Sequence, residues 1–339
     1  MKKAPKILIG FLASFGMLAL ILDSRTALTG AAEGIDLCLK TVIPALFPFF
    51  ILSQLLTGAI SGAGIAVLRP LGKLCGIPAG AESILIAGLT GGYPVGAQCI
   101  AHAHLSGRLS KLDAQRMLGF CNNAGPAFIF GMSGILFENK YAPVLLWAVH
   151  ILSAVVTAAI LPGKSSAQIA PPCPASNQQG HVLHSGMRGM ATVCGWVIIF
   201  RVIIAIAQRW FLWLLPPNIR IFIIGCFELT NGYIGLTGIP NDLQRFVLAS
   251  IFLALGGLCV GMQTISIIGQ AGLTPGSYFP GKLLQAAISA AMAIPVASSL
   301  FSNTLSSKEY RMAALIIALS VTATKILKNS SSILRASGV

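Results

Sequence analysis

The sequence L-T-G-G-Y-P, at residues 89–94, interrupts an apolar run that extends from residue 84 to residue 103. Glycine and proline break a helix here, because glycine costs backbone entropy and proline lacks the amide donor of the helical ladder. At membrane depth such a break is tolerated only where the backbone faces protein or a wet cavity. The run is therefore too interrupted for a plain membrane span. The basic residues Arg108, Lys111 and Arg116 would lie on the cytoplasmic side only if the run enters the membrane and returns, which favours a re-entrant hairpin.

The composition of the whole chain places this run in a bilayer. Hydrophobic residues make up 55% of the 339 residues, charged residues 9%, and the mean hydropathy is +0.82. Soluble globular chains carry about 25% charged residues, so these polar residues cannot cover a water-facing surface. We expect an all-α polytopic membrane protein with broken or re-entrant helices and about eight to ten hydrophobic elements in contact with lipid.

The charge balance does not point to nucleic acid. The chain carries 23 Lys and Arg against 9 Asp and Glu, a net charge of +14, spread over short segments between apolar runs. Such segments are typical of cytoplasmic loops and of contact with anionic headgroups, so no nucleic-acid partner is expected. We also expect no enzyme and no metal or other cofactor, since neither a catalytic constellation nor metal-ligand spacing is present.

Two similar strings indicate a duplicated unit. L-T-G-G-Y at residues 89–93 matches L-T-N-G-Y at residues 229–233 with an offset of 140 (229 − 89), and residues 128–134 resemble residues 266–272 with an offset of 138 (266 − 128). A stretch rich in Pro, Ser and Gln separates the two copies. The predicted organisation is an N-terminal span (1–30), a first repeat (31–162), a polar linker (163–185), a second repeat (186–301) and a C-terminal hydrophobic helix with a basic tail (302–339).

Paired halves with Gly- or Pro-broken segments are the pattern of secondary transporters, which hold substrate near the midplane at half-helix ends. The alternative is that these glycines only let spans pack closely. A coupling proton or sodium ion would accompany a transport cycle of this kind.

Two charged residues within apolar segments are candidate site residues, because charge at membrane depth is costly. Glu228 adjoins the second copy of the string and could bind a coupling cation or orient substrate, or it could simply cap a helix. Arg201 could clamp a carboxylate through its guanidinium. Snorkelling, or a pair with Glu228, is the alternative for Arg201.

The polar residues at the breaks complete the predicted site. Asn122 and Asn123 precede an Ala-Gly-Pro sequence, where they could contact a ligand or cap the following helix. The free amides and positive dipole end of such a helix would attract an anion. The remaining candidates at the breaks are Thr90, Gly92, Tyr93, Pro94, Gly125, Thr230, Asn231 and Gln263, with an interfacial position as the alternative for Tyr93.

The strings G-Y-P-V-G-A at residues 92–97, F-C-N-N-A-G-P at 120–126, E-L-T-N-G at 228–232 and G-G-L-C-V-G-M-Q at 256–263 carry a family resemblance. Together they resemble the sporulation integral membrane proteins of endospore-forming Firmicutes that have nucleoside-recognition, or Gate, domains. Gly91 departs from this pattern, where many relatives are expected to have Ser. The departure leaves the exact ligand open.

The resemblance implies two Gate-like repeats in a multi-pass protein of the bacterial cell membrane, placed in a sporulating cell in the outer forespore membrane. It also implies transport of dipicolinic acid, a planar dianion, by alternating access at the broken helices. Arg201, the paired amides and the helix N-termini are groups that would suit a dicarboxylate. A nucleoside or other small solute, a non-transporting scaffold for sporulation partners, and a homo-oligomer stay open.

Overall fold

The computed structural model describes residues 3–60, 66–161 and 179–301. In these ranges the regular structure is helical and contains no strand, which confirms the all-α prediction. The α-helices are α1 (Lys3–Leu22), α2 (Ser24–Leu37), α3 (Ile43–Ile60), α4 (Arg69–Leu74), α5 (Glu82–Thr90), α6 (Val95–Leu105), α7 (Lys111–Cys121), α8 (Pro126–Ser133), α9 (Ala142–Ile160), α10 (Gln179–Trp210), α11 (Pro217–Phe227), α12 (Leu229–Gly235), α13 (Asp242–Leu255), α14 (Gly257–Gln270) and α15 (Tyr278–Phe301).

Long apolar helical stretches confirm that the protein is polytopic. A bilayer needs about 20 predominantly apolar residues in a helix that crosses it. Within the described ranges, five stretches are long and apolar enough: Ser24–Leu52, Ala142–Ile160, Gly186–Trp210, Asp242–Gln270 and Tyr278–Phe301. The protein is therefore a multi-pass membrane protein in contact with lipid.

The predicted segment borders can be compared with the helices. The border at residue 30 falls inside α2, and Gly10–Leu22 within α1 is a shorter apolar helix than the stretch that follows it. Helix α10 begins at Gln179, so the last seven residues of the predicted linker are helical, and its other residues lie outside the described ranges. The C-terminal segment 302–339 also lies outside them.

A π-helical turn at Cys38–Val42 joins α2 to α3. Pro44 explains this turn, because proline donates no amide and its ring clashes with the carbonyl four residues earlier. The Ile43 amide instead donates to the carbonyl of Cys38, five residues back. Single π turns of this kind are frequent at functional sites, and Thr41 of this turn lines two cavities.

The predicted break at residues 91–94 forms the tip of a helical hairpin. Helices α5 and α6, here called hairpin 1, both lie against the carbonyl oxygen of Cys121, where Gly88 and Gly96 leave the space. At the tip, Gly92 has a φ of +77° and contacts the backbone of Gly125. This close approach is possible because neither glycine has a side chain.

The predicted break after α7 is also present. Residues 122–125, here called the first break, are extended between α7 and α8, and Pro126 begins α8. Proline suits this position because the first amides of a helix have no intrahelical partner. The helix that begins here thus points its N-terminus at the tip of hairpin 1.

A second hairpin and a second break follow in the later half of the chain. Helices α11 and α12, here called hairpin 2, reverse at Glu228 and meet where Gly232 contacts Gly225. Helices α13 and α14 are separated at Gly256, the second break, which has a φ of +70°. Each half therefore has a hairpin followed by an interrupted helix, while the predicted repeat borders stay a prediction.

The hairpin of each half contacts the interrupted helix of the other. The Tyr93 hydroxyl of hairpin 1 donates to the carbonyl of Leu253 just before the second break. In hairpin 2, the Tyr233 ring packs against Phe128 of α8, and its hydroxyl lies 3.1 Å from the Ser133 hydroxyl. Both hairpin tips and both breaks consequently meet in the buried interior of the protein.

Candidate functional site

A small buried cavity, here called the inner cavity, lies where the hairpins and breaks meet. Its volume is about 40 Å³. The predicted site residues that line it are Tyr93 and Gly125 from the first half and Glu228, Thr230 and Gln263 from the second. The other lining residues are Thr41, Val42, Leu46, Ala124, Phe128, Val193, Val197, Leu229 and Val260.

Glu228 caps the N-terminus of α12 with its carboxylate. The side chain is 2% exposed, and it accepts hydrogen bonds from the Thr230 amide at 3.1 Å and the Asn231 amide at 2.7 Å. The Asn231 side-chain nitrogen donates to the same carboxylate at 2.7 Å. The helix dipole and these donors stabilise the buried charge. Glu228 therefore caps α12 and also lines the inner cavity, while its role in binding a cation or substrate stays a prediction.

A larger, more open cavity, here called the outer cavity, adjoins the inner one. It has a volume of about 490 Å³ and is lined by Ala32, Glu33, Asp36, Leu37, Lys40, Thr41, Arg201 and Asn231. Thr41 lines both cavities, and Asn231 of the outer cavity bonds Glu228 of the inner one. The two cavities thus share a wall made by the π-helical turn and the start of α12.

Arg201 lies in the outer cavity and not beside Glu228. Its guanidinium forms an ion pair with Glu33 of α2, and its side chain is 19% exposed. Lys40 and Asp36 of the same cavity form a second ion pair at 2.8 Å. The alternative prediction of an ion pair between Arg201 and Glu228 is therefore wrong, since Arg201 pairs with Glu33. The outer cavity instead holds two cations and two carboxylates.

Asn122 and Asn123 are fully buried behind the inner cavity rather than lining it. Asn122 accepts from the Ala97 amide of hairpin 1 at 3.3 Å and donates to the Thr264 hydroxyl of α14 at 2.9 Å. Neither asparagine caps α8, whose N-cap is Gly125. Asn122 therefore joins hairpin 1 to the second half of the chain.

A buried lysine that the sequence reasoning missed completes the polar interior. Lys282 of α15 is 2% exposed, and its ammonium contacts the Tyr93 hydroxyl at 3.3 Å, the Asn123 side-chain oxygen at 3.1 Å and the Gln285 side-chain oxygen at 2.8 Å. The Gln285 amide also donates to Asn123 at 3.0 Å. We call these four residues the amine network. Lys282 stands at the edge of an apolar run, where lysine ordinarily snorkels to the interface.

A histidine within the apolar sequence of α9 also escaped the sequence reasoning. His150 is 1% exposed, and its Nε2 accepts a hydrogen bond at 3.1 Å from the amide of Ala124 in the first break. The available signal was a single histidine in a long apolar helix. Its contact stabilises the extended backbone between α7 and α8.

The remaining predicted residues at the tip of hairpin 1 have structural contacts. The Thr90 hydroxyl donates to the Ile86 carbonyl of its own helix at 2.8 Å. Gly92 packs on Gly125, and Pro94 follows a cis peptide bond. These three residues shape the tip, while Tyr93 between them reaches both the inner cavity and the amine network.

The two ion pairs of Glu33 and Glu82 predict different effects on stability. Glu33→Gln is expected to cost less than about 1 kcal/mol, because Glu33 is 48% exposed and water screens its pair with Arg201. Glu82→Gln should lower the melting temperature more, since Glu82 is 2% exposed and bonds both Arg69, at 2.7 Å, and the Gly80 amide, at 2.8 Å. Thermal unfolding of both variants in detergent checks the order, and an equal loss would contradict it.

Comparison with known proteins identifies one informative similarity. The chain is 24% identical over 334 residues to the sporulation integral membrane protein YlbJ of Bacillus subtilis (strain 168), covering 84% of this chain and 81% of that protein. No family model matches the sequence, and no solved structure matches it. The similarity supports the predicted resemblance to sporulation integral membrane proteins of the YlbJ type.

Proposed function

We propose that this protein transports a small organic anion across a bacterial membrane, with dipicolinate as the favoured solute. The observation that carries the proposal is the inner cavity, which lies where two helical hairpins meet two interrupted helices. Broken helices that surround a buried site are the arrangement by which secondary transporters bind solutes at the midplane. The similarity to a sporulation membrane protein supports a role in a sporulating cell.

The charge pattern supports an anion as the solute. Helix α8 begins at the inner cavity, and its first amides and dipole favour negative charge. The Glu228 carboxylate is held by its own three donors and does not use these amides. In the outer cavity Arg201 can exchange Glu33 for a solute carboxylate, because guanidinium groups bind carboxylates with two parallel bonds.

The cavity sizes support a cycle in which the hairpins move. The outer cavity, at about 490 Å³, falls in the range of small-molecule sites. The inner cavity, at about 40 Å³, has room for water but not for a dicarboxylate. A solute that waits beside Arg201 therefore enters the inner cavity only when the elements around that cavity move. Glu228 then orients the solute or carries the coupling cation.

Uptake by purified protein tests this function. Proteoliposomes should accumulate radiolabelled dipicolinate under a pH or sodium gradient, and excess nucleoside should not compete. The isomer pyridine-3,5-dicarboxylate, whose carboxylates are placed differently, should compete poorly, and protein-free liposomes give the background. Absence of uptake by folded protein under every gradient would overturn the transport proposal and favour a scaffold. Uptake of a nucleoside instead would overturn the proposed substrate.

A further inference from the structure

We propose that Lys282 is a proton-binding site whose protonation favours the opening of hairpin 1. Its role in coupling transport to protons rests on the proposed function, but the link between protonation and hairpin position does not. The amine network joins three separate elements, since Tyr93 belongs to hairpin 1, Asn123 to the first break and Gln285 to α15. Any movement of the hairpin tip away from α15 changes the surroundings of the amine.

The geometry satisfies the amine with and without its extra proton. A charged ammonium donates one hydrogen to each of its three oxygen partners, while the Tyr93 hydroxyl donates to the Leu253 carbonyl at 3.1 Å. A neutral amine keeps two donors for Asn123 and Gln285, and its lone pair can accept from the Tyr93 hydroxyl, which lies 3.3 Å away. Rotation of one hydroxyl thus adapts the network to either state.

The amide orientations in this network are determined by their other bonds. The Asn123 side-chain nitrogen donates to the Phe120 carbonyl at 2.6 Å, which leaves its oxygen facing Lys282. The Gln285 nitrogen donates to that same oxygen, which leaves the Gln285 oxygen for the amine. Lys282 consequently faces only acceptors at these two positions.

The surroundings of Lys282 lack a neutralising acid in the part of the chain that the structure describes. None of the ion pairs in that part of the chain involves Lys282. The titratable groups around the amine are Tyr93 of hairpin 1, Cys121 of α7 and His150 of α9, and Tyr278 on the helix of Lys282 interacts with Tyr93. Helix α13 presents the carbonyls of Leu253 and Ala254 to Tyr93, and Glu228 of hairpin 2 shares the inner cavity with Tyr93.

Burial without an acid determines the direction of the coupling. Removing a charged amine from water is costly, and neutral oxygens repay this cost only in part. When hairpin 1 opens, water reaches the amine and the charged form becomes more favourable. By linkage, the state that binds the proton more tightly gains population as the pH falls. Acid therefore opens hairpin 1, and alkaline pH closes it around a neutral amine.

Hydrogen–deuterium exchange of protein in lipid nanodiscs tests the inference without any substrate. The readout is exchange in peptides of residues 91–96, divided by exchange in peptides of α9, which removes the intrinsic pH dependence. In wild type this ratio should rise as the pH falls from about 9 to about 6, by up to about tenfold per pH unit for one proton. A flat ratio in wild type would overturn the proposal.

Two variants assign the effect to Lys282. Lys282→Met removes the titrating group and should make the ratio independent of pH. Gln285→Glu places a carboxylate beside the amine, so the proton stays bound in the closed state and the rise at low pH should disappear. A wild-type profile in folded Lys282→Met would overturn the proposal. If that variant does not fold, a wild-type profile in Gln285→Glu is sufficient to overturn it.

Transport measurements separate this inference from the proposed function. If wild type accumulates dipicolinate under a pH gradient, folded Lys282→Met should lose the response to the gradient, and retention of that response would overturn the coupling role. If wild type transports nothing, the proposed function fails. The exchange profiles of wild type and the two variants then still decide whether protonation of Lys282 opens hairpin 1.

Discussion

Replacing Gly88 with alanine is expected to destabilise the protein by about 3 kcal/mol, at the upper end of the cost of overpacking a core. A β-carbon at Gly88 would lie 1.7 Å from the carbonyl oxygen of Cys121, far inside van der Waals contact. The clash involves backbone on both sides, so a change of rotamer cannot relieve it. Thermal unfolding in detergent should show a clear fall in melting temperature.

The loss should be local in origin, because Gly88 belongs to the contact between hairpin 1 and the end of α7. Gly131→Ala in α8 is the matched control, since a β-carbon there has no atom within 4 Å. That control should be neutral or slightly stabilising, because alanine favours a helix more than glycine does. If both variants melt at the same temperature as wild type, the close packing of hairpin 1 on Cys121 is wrong.

The helical breaks could be predicted from sequence because their causes are local. Glycine and proline at residues 91–94 and 122–126 determine what the backbone can do there, whatever surrounds it. The composition likewise excludes a soluble chain without any knowledge of contacts. The fold class and the interruptions were therefore accessible, whereas the exact ends of α2 and α10 depend on packing.

The partners of charged side chains could not be predicted in this way. Arg201 pairs with Glu33, which is 168 residues away, and Lys282 contacts Tyr93 across 189 residues. An isolated lysine at the edge of an apolar run predicts an interfacial position, because its stem is long enough to reach water. The packing of α7, α9 and α13 on α15, together with the Tyr93 contact of hairpin 1, buries this amine. The sequence thus indicated which charged side chains are costly to place within the membrane, and the tertiary structure determined which groups they contact.

Glu228→Gln is expected to lower dipicolinate uptake by about a hundredfold, which corresponds to about 2.7 kcal/mol. Glutamine keeps the size of the side chain but replaces one acceptor oxygen with a donor. The Asn231 amide and side-chain nitrogen bond one carboxylate oxygen of Glu228, and the Thr230 amide bonds the other. Whichever oxygen becomes the amide nitrogen, at least one of these donors loses its partner. The variant also removes the charge that would bind a coupling cation or orient the solute in the inner cavity.

Glu138→Gln supplies the matched control for this charge change, because Glu138 is exposed in the loop between α8 and α9. It should transport and melt like wild type. Glu228→Gln should remain folded. Weakening the cap should lower its free energy of unfolding by about 1–2 kcal/mol, and its melting temperature should fall accordingly. If folded Glu228→Gln transports like wild type, the carboxylate serves only to cap α12, and the coupling role is wrong. If Glu228→Gln unfolds, Glu228→Asp is the second variant, because it keeps the charge on a shorter side chain. Loss of uptake by folded Glu228→Asp would support a site that needs both the charge and its position.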